Sequence, residues 1–144
     1  MEKILIVYYS HTGNTQMMAE SIAEGISKAK KETEADIFSV SLINPKRIAE
    51  YDKIAFGCPA SGTENLEENE FEPFFTLCEK FLKGKKIALF GSYGWGGGPW
   101  MKEWEERVKK DGAELIADGL VTLDTPGGEC LNECIELGKR FAEL

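Results

Sequence analysis

Histidine is almost missing from this chain: of its 144 residues only His11 is one. Catalysis of the Ser-His-Asp or Cys-His kind would have to run through that single imidazole. Cysteine is also scarce, and Cys58, Cys78, Cys130 and Cys134 follow no CxxC or zinc-ligand spacing. They read as buried free thiols of a reducing, cytoplasmic compartment, with Cys130 and Cys134 on one helix face. No apolar run reaches the roughly 20 residues that span a bilayer, and no secretory leader precedes the first strand-like run. Basic side chains are outnumbered, 17 against 25 acidic ones, for a formal net charge of −8. Nucleic acid and anionic membrane repel such a surface, whereas basic protein patches attract it. The same charge also serves plain solubility. Repeats, low-complexity tracts and Pro- or Ser-rich linkers are absent, so residues 1–144 read as a single domain.

What is present is alternation. Residues 3–9 contain ILIVYY, a nearly continuous apolar and β-branched run of the kind a strand buried on both faces requires. Residues 14–29 are helical, with Met18, Ile22 and Ile26 on one stripe. Further strands are predicted at 35–42, 53–57, 86–92 and 115–123. Further helices are predicted at 73–82, 99–110 and 129–142, the first two opened by proline, whose missing N–H costs little there. Five strands alternating with helices predict a parallel sheet covered on both faces, a doubly wound α/β domain. Such sheets bind ligands at the carboxyl ends of their strands, which directs attention to the loops after strands one, three and four.

The first loop reads Ser10-His11-Thr12-Gly13-Asn14-Thr15. Hydroxyls, a small amide side chain and a turn-forming Gly13 lead into a helix whose first N–H groups point outward at the positive end of its dipole. That arrangement suits a phosphate. The loop holds no Lys or Arg and lacks the GxxxxGK[ST] spacing of a nucleoside triphosphatase, so the phosphate it suits belongs to a cofactor that is not hydrolysed. Taken alone, the loop is equally an ordinary strand-to-helix turn with a polar cap. The second loop, Cys58-Pro59-Ala60-Ser61-Gly62-Thr63-Glu64-Asn65, contains a glycine able to present either end of its peptide and a carboxylate able to accept a ring N–H. On its own it reads as the start of a solvated acidic face made by Glu64, Glu67, Glu68, Glu70 and Glu72. In the third, Ser92-Tyr93-Gly94-Trp95-Gly96-Gly97-Gly98-Pro99, a tryptophan stands among four glycines. Large rings offer stacking surface, and glycines let a planar ligand approach the backbone; the competing reading folds Trp95 onto the core.

Three stretches, SHTGNT at 10–15, GCPASGTENLEENEFEPFF at 57–75 and LFGSYGWGGGPWM at 89–101, resemble flavodoxins, and specifically the short-chain type of anaerobic bacteria. The likeness runs the full length, and the fifth strand lacks the insertion of long-chain members. It implies sheet order 2-1-3-4-5 and a flavin mononucleotide (FMN) held without a covalent bond. It implies that Ser10, Thr12, Asn14 and Thr15, with their backbone, hold the phosphate, His11 and Gly13 belonging to the same cofactor-binding loop. Trp95 would stack on the flavin ring, Gly62 would sit beside its N5, and Glu64 would meet its N3–H. Pro59, Ala60, Ser61, Thr63, Ser92, Tyr93, Gly94 and Gly96 complete the implied site. Ser61 stands where relatives often carry Met, Thr63 where Asp or Ser is common, and His11 where Gly is common; His11 could cover the phosphate, and as a cation help hold it, but is expected to face solvent. The function implied is that of a low-potential one-electron carrier, a monomer without substrate turnover. It would serve flavodoxin- or ferredoxin-linked oxidoreductases through an acidic face. A small FMN-dependent reductase and a flavin activator of ribonucleotide reductase are the alternatives.

Overall fold

The computed structural model describes residues 2–61, 65–94 and 99–144. Its elements follow in the order β1 (Glu2–Tyr8), α1 (Asn14–Ser27), β2 (Thr33–Ser39), β3 (Lys53–Gly57), β4 (Ala60–Ser61), β5 (Asn65–Leu66) and α2 (Phe71–Cys78). They continue with β6 (Lys86–Tyr93), α3 (Pro99–Lys110), β7 (Glu114–Leu115), β8 (Leu120–Leu123) and α4 (Gly128–Glu143). The parallel sheet runs β2-β1-β3-β6, and its fifth place is shared by β7 and β8, both paired with β6. This is the 2-1-3-4-5 order implied by the sequence.

β1 shows why helices cover both faces. Successive side chains point to opposite sides of a strand. Ile4 and Ile6 pack with Met18, Ile22 and Ile26 of α1 and with Cys134 and Phe141 of α4. Leu5 and Val7 join Phe71 and Phe75 of α2 and Trp100 and Trp104 of α3. All four strand residues are fully buried, each contributing on the order of 1.5–3 kcal/mol through burial. α1 and α4 meet backbone to backbone. A Cβ on Gly25 would lie 1.9 Å from the Ile135 carbonyl oxygen, and one on Gly138 would lie 2.1 Å from that of Ile22.

On the opposite face Arg107 of α3 ties Glu72 and Thr76 of α2 to Glu79, the first residue beyond that helix. Its Nη1 donates to Glu72 at 2.7 Å, its Nη2 to Thr76 at 3.1 Å and to Glu79 at 2.7 Å, and its Nε to Glu79 at 3.0 Å. The guanidinium also lies 4.9 Å from the centre of the Phe75 ring. Asp111 stands beside Glu79 with Oδ2 buried and unpartnered among the described residues.

Two predicted strands are shorter than the sequence suggested. β2 stops at Ser39, and Val40–Leu42 turns into a short 3-10 helix. The expected strand at 115–123 is interrupted. Buried Glu105 accepts the Gly119 N–H at 2.6 Å, and Arg140 donates to the Ile116 carbonyl at 2.8 Å. These tertiary bonds pull the connection off the sheet between β7 and β8. No helix among the described residues is long and apolar enough to cross a membrane.

Candidate cofactor cleft

At the carboxyl end of the sheet lies a cleft of about 470 Å³ lined by Tyr9, His11, Thr12, Asn14, Pro59, Ala60, Glu67, Asn69, Ser92, Tyr93, Gly94 and Asp124. Its volume falls within the roughly 300–1,000 Å³ usual for small-molecule sites. The structure therefore brings the three predicted loops together. Gly62, Thr63, Glu64, Trp95 and Gly96 lie outside the described residues. The backbone of Ser61 ends β4, which pairs antiparallel with β5, Ser61 opposite Asn65.

The first loop is built around Ser10 and Gly13. Gly13 takes φ +94°, with nothing within 4 Å of where a Cβ would be, so conformation rather than space favours glycine there. Ser10 Oγ accepts the Gly13 N–H at 3.1 Å and the Gln16 N–H at 3.3 Å. A helix start leaves several amides without internal partners; here Ser10 satisfies two of them. Among the described residues the amides of Asn14 and Thr15 meet no acceptor, and Asn14 lines the cleft. The buried Thr15 hydroxyl lies 3.3 Å from Ser92 Oγ, joining the first loop to the third. Two free amides at the positive end of a 14-residue helix, with polar side chains beside them, fit a phosphate. The tyrosine walls and the width of the cleft fit a planar nucleotide cofactor.

Glu67 departs from the expected solvated face. It is only 6 % exposed. Its carboxylate accepts the amides of Asn69 at 2.9 Å, Glu70 at 2.7 Å and Phe71 at 2.9 Å, closing the turn that opens α2. Burial would raise this carboxyl, but the three amides outweigh burial and hold it below the usual carboxylate range. Glu72 is likewise engaged, by Arg107. Of the acidic series, Glu68 and Glu70 remain exposed. Cys58 below them accepts the Glu67 N–H at 3.4 Å, and burial pushes its thiol well up, so it is inert as a nucleophile. All four cysteines are free. Among the described residues no cluster of His, Cys, Asp or Glu can hold a metal ion.

Four lining residues escaped the sequence reading: Tyr9, Glu67, Asn69 and Asp124. Tyr9 directly precedes the phosphate loop. Its phenol is pushed above its usual range by burial and by Glu67 and Glu70. Asp124 follows β8 at a positive φ of 55°, with its N–H donated to the Tyr93 carbonyl at 2.7 Å. The rule that ligands meet the carboxyl ends of strands applies to the fifth strand as well as the other three, and would have found it.

A doubly wound sheet with a phosphate-ready helix start and an aromatic-walled cleft defines a nucleotide-cofactor domain. The family model described as Flavodoxin matches residues 6–138. The chain is 44 % identical over 139 residues to a flavodoxin of Clostridium beijerinckii, covering 96 % of this chain and 99 % of that one. It is 44 % identical over 138 residues to a flavodoxin of Megasphaera elsdenii, covering 96 % and 97 %. The solution structure of two-electron reduced Megasphaera elsdenii flavodoxin superposes with a TM-score of 0.87 at 41 % identity, covering 98 % of this chain and 99 % of that one. The chain belongs to the flavodoxin family, on its short-chain side. It is an FMN-binding electron carrier that works with redox proteins and turns over no substrate of its own.

Proposed function

We propose that residues 1–144 form one FMN-holding domain. In it the phosphate sits on the Ser10–Thr15 turn, and the ring lies between the 59–64 and 92–96 segments. The observation that carries this reading is the pair of open amides, Asn14 and Thr15, at a helix start whose first residue, Asn14, lines the cleft. Ser10 keeps its hydroxyl proton available while accepting two amides, so it orders the turn and still offers a donor. Thr12 and Asn14 add side-chain donors. Bound FMN supplies the one-electron chemistry; the protein binds, orients and tunes it.

The tuning is electrostatic. Among the described residues the cleft lining contains Glu67 and Asp124 and no lysine or arginine, within a chain of net charge −8. Added negative charge is disfavoured in such a field, which lowers the potential of the last reduction step. The exposed carboxylates beside the cleft, Glu68 and Glu70, form the acidic face for partners with basic patches. Free thiols support a reducing cytoplasm, and the self-contained core supports a monomer. Purified protein should release one FMN on denaturation. Recovery of FAD, or no flavin after reconstitution, would overturn the reading.

A further inference from the structure

The charges of the cleft are one-sided. Its lining holds the carboxylates of Glu67 and Asp124 and the phenols of Tyr9 and Tyr93. Glu70 stands close enough to raise the Tyr9 phenol. Against these, the seat at the start of α1 offers amides and the helix dipole, equivalent to about half a charge. It holds no fixed cation. One side chain on the seat can become positive: His11, exposed, lining the cleft beside Thr12 and Asn14, and the only histidine in the chain.

From this juxtaposition we infer that His11 is a proton-gated determinant of FMN over riboflavin, the same ring system without the phosphate. The inference rests on the phosphate seat proposed above. As imidazolium, His11 supplies the one positive side chain among the described residues of the cleft's lining for the phosphate to meet. As neutral imidazole it leaves the phosphate to uncharged donors. The proton required comes from solvent, since the side chain is exposed. Histidine is the residue type whose charge changes between pH 5 and 8. The share of FMN affinity that His11 supplies therefore grows as the surroundings acidify.

Other groups facing the seat do not produce the same signature. Glu67 is kept ionised by three amides, and the Tyr9 phenol is raised away from neutrality. Asp124 and Glu70 are common to native protein and variant and cancel in the comparison. A phosphate monoester has its own second ionisation near pH 6, which weakens the anion as pH falls. It also cancels between native protein and variant, which makes a comparison of variants decisive where a bare pH profile is not.

The test is flavin affinity, read from flavin fluorescence on dilution of protein loaded with FMN or with riboflavin, at constant ionic strength. Native protein, His11→Gln and His11→Lys are compared near pH 6 and near pH 8. An exposed charge pair is worth about 0.2–1 kcal/mol, so near pH 6 the Gln variant should bind FMN up to about fivefold more weakly than the native protein. Near pH 8 that gap should close. The Lys variant should match the native protein near pH 6 and bind FMN up to about fivefold more tightly than it near pH 8, and riboflavin should bind all three proteins alike. Equal FMN affinity of native and Gln proteins near pH 6 would overturn the inference, as would an equal loss for riboflavin, which would put the imidazole against the ring. If native protein bound riboflavin as tightly as FMN, the phosphate seat itself would be wrong and the inference would fall with it.

Discussion

Changing Glu67 to glutamine separates a buried helix-capping carboxylate from a solvated rim carboxylate. Three backbone amides converge on it within 2.7–2.9 Å, and the Phe71 amide is buried. Glutamine keeps one acceptor oxygen but loses the charge, which should cost about 1–2 kcal/mol; alanine strands all three donors and should cost roughly 2–4 kcal/mol. A solvated glutamate would change stability by no more than about 0.5 kcal/mol. Urea unfolding near pH 7, at one fixed FMN concentration because ligand adds its own mass-action term, gives the comparison. The pH profile adds an independent check. The folded-state carboxyl lies below its ordinary value of 4.5. Its stabilisation is therefore complete above that value and lost as pH falls through the lower folded one. Native protein should lose this contribution below about pH 4.5, and the glutamine variant should lack that part of the acid slope. If the glutamine variant unfolds within about 0.5 kcal/mol of native while partner reduction slows, the carboxylate belongs to the solvent and the capping argument fails.

The exposed pair Glu68 and Glu70 should behave oppositely. Changing both to glutamine should leave unfolding nearly unaffected and slow reduction by a flavodoxin-linked oxidoreductase in stopped flow. The native rate should fall as salt rises, because screening shortens the field to about 10 Å near 0.1 M salt; a flat salt response would place the partner face elsewhere. Arg107→Met leaves Glu72 and Glu79 without their cation and should cost roughly 2–4 kcal/mol in urea unfolding. Arg107→Lys should recover only part of this, since an ammonium cannot fork to both carboxylates; full recovery by lysine would refute the fork. Burial and the neighbouring Glu79 push the Asp111 carboxyl up to about 7. The folded state therefore holds a proton the unfolded state has lost, and stability should fall as pH rises from about 4 through 7. Asp111→Asn should be more stable than native near pH 8 and converge with it near pH 5; parallel profiles would refute the pairing.

Much of the fold was legible because β1 and the amphipathic helices carry their instructions locally. Ile4 and Ile6 alternate with Leu5 and Val7, and each pair meets its own helix layer. The broken fifth strand was not legible, because Glu105 and Arg140 hold the connection from distant helices, and nothing within 115–123 announces them. The polar turn after β1 could be read from its residue types; the division of labour within it, with Ser10 accepting the Gly13 and Gln16 amides, could not. Glu67 misled for a physical reason. A run of glutamates looks uniformly solvated in sequence, and only a turn that points three amides at one of them sets it apart.

Where Gly25 and Gly138 press α1 onto α4, main chain lies against main chain, with no side chain between them to rearrange. The front of α1 carries the proposed phosphate seat, and its flank is fixed by this close contact. The start of α1 should therefore keep its shape whether or not a phosphate rests on it, so that end of the site costs little ordering when it is filled.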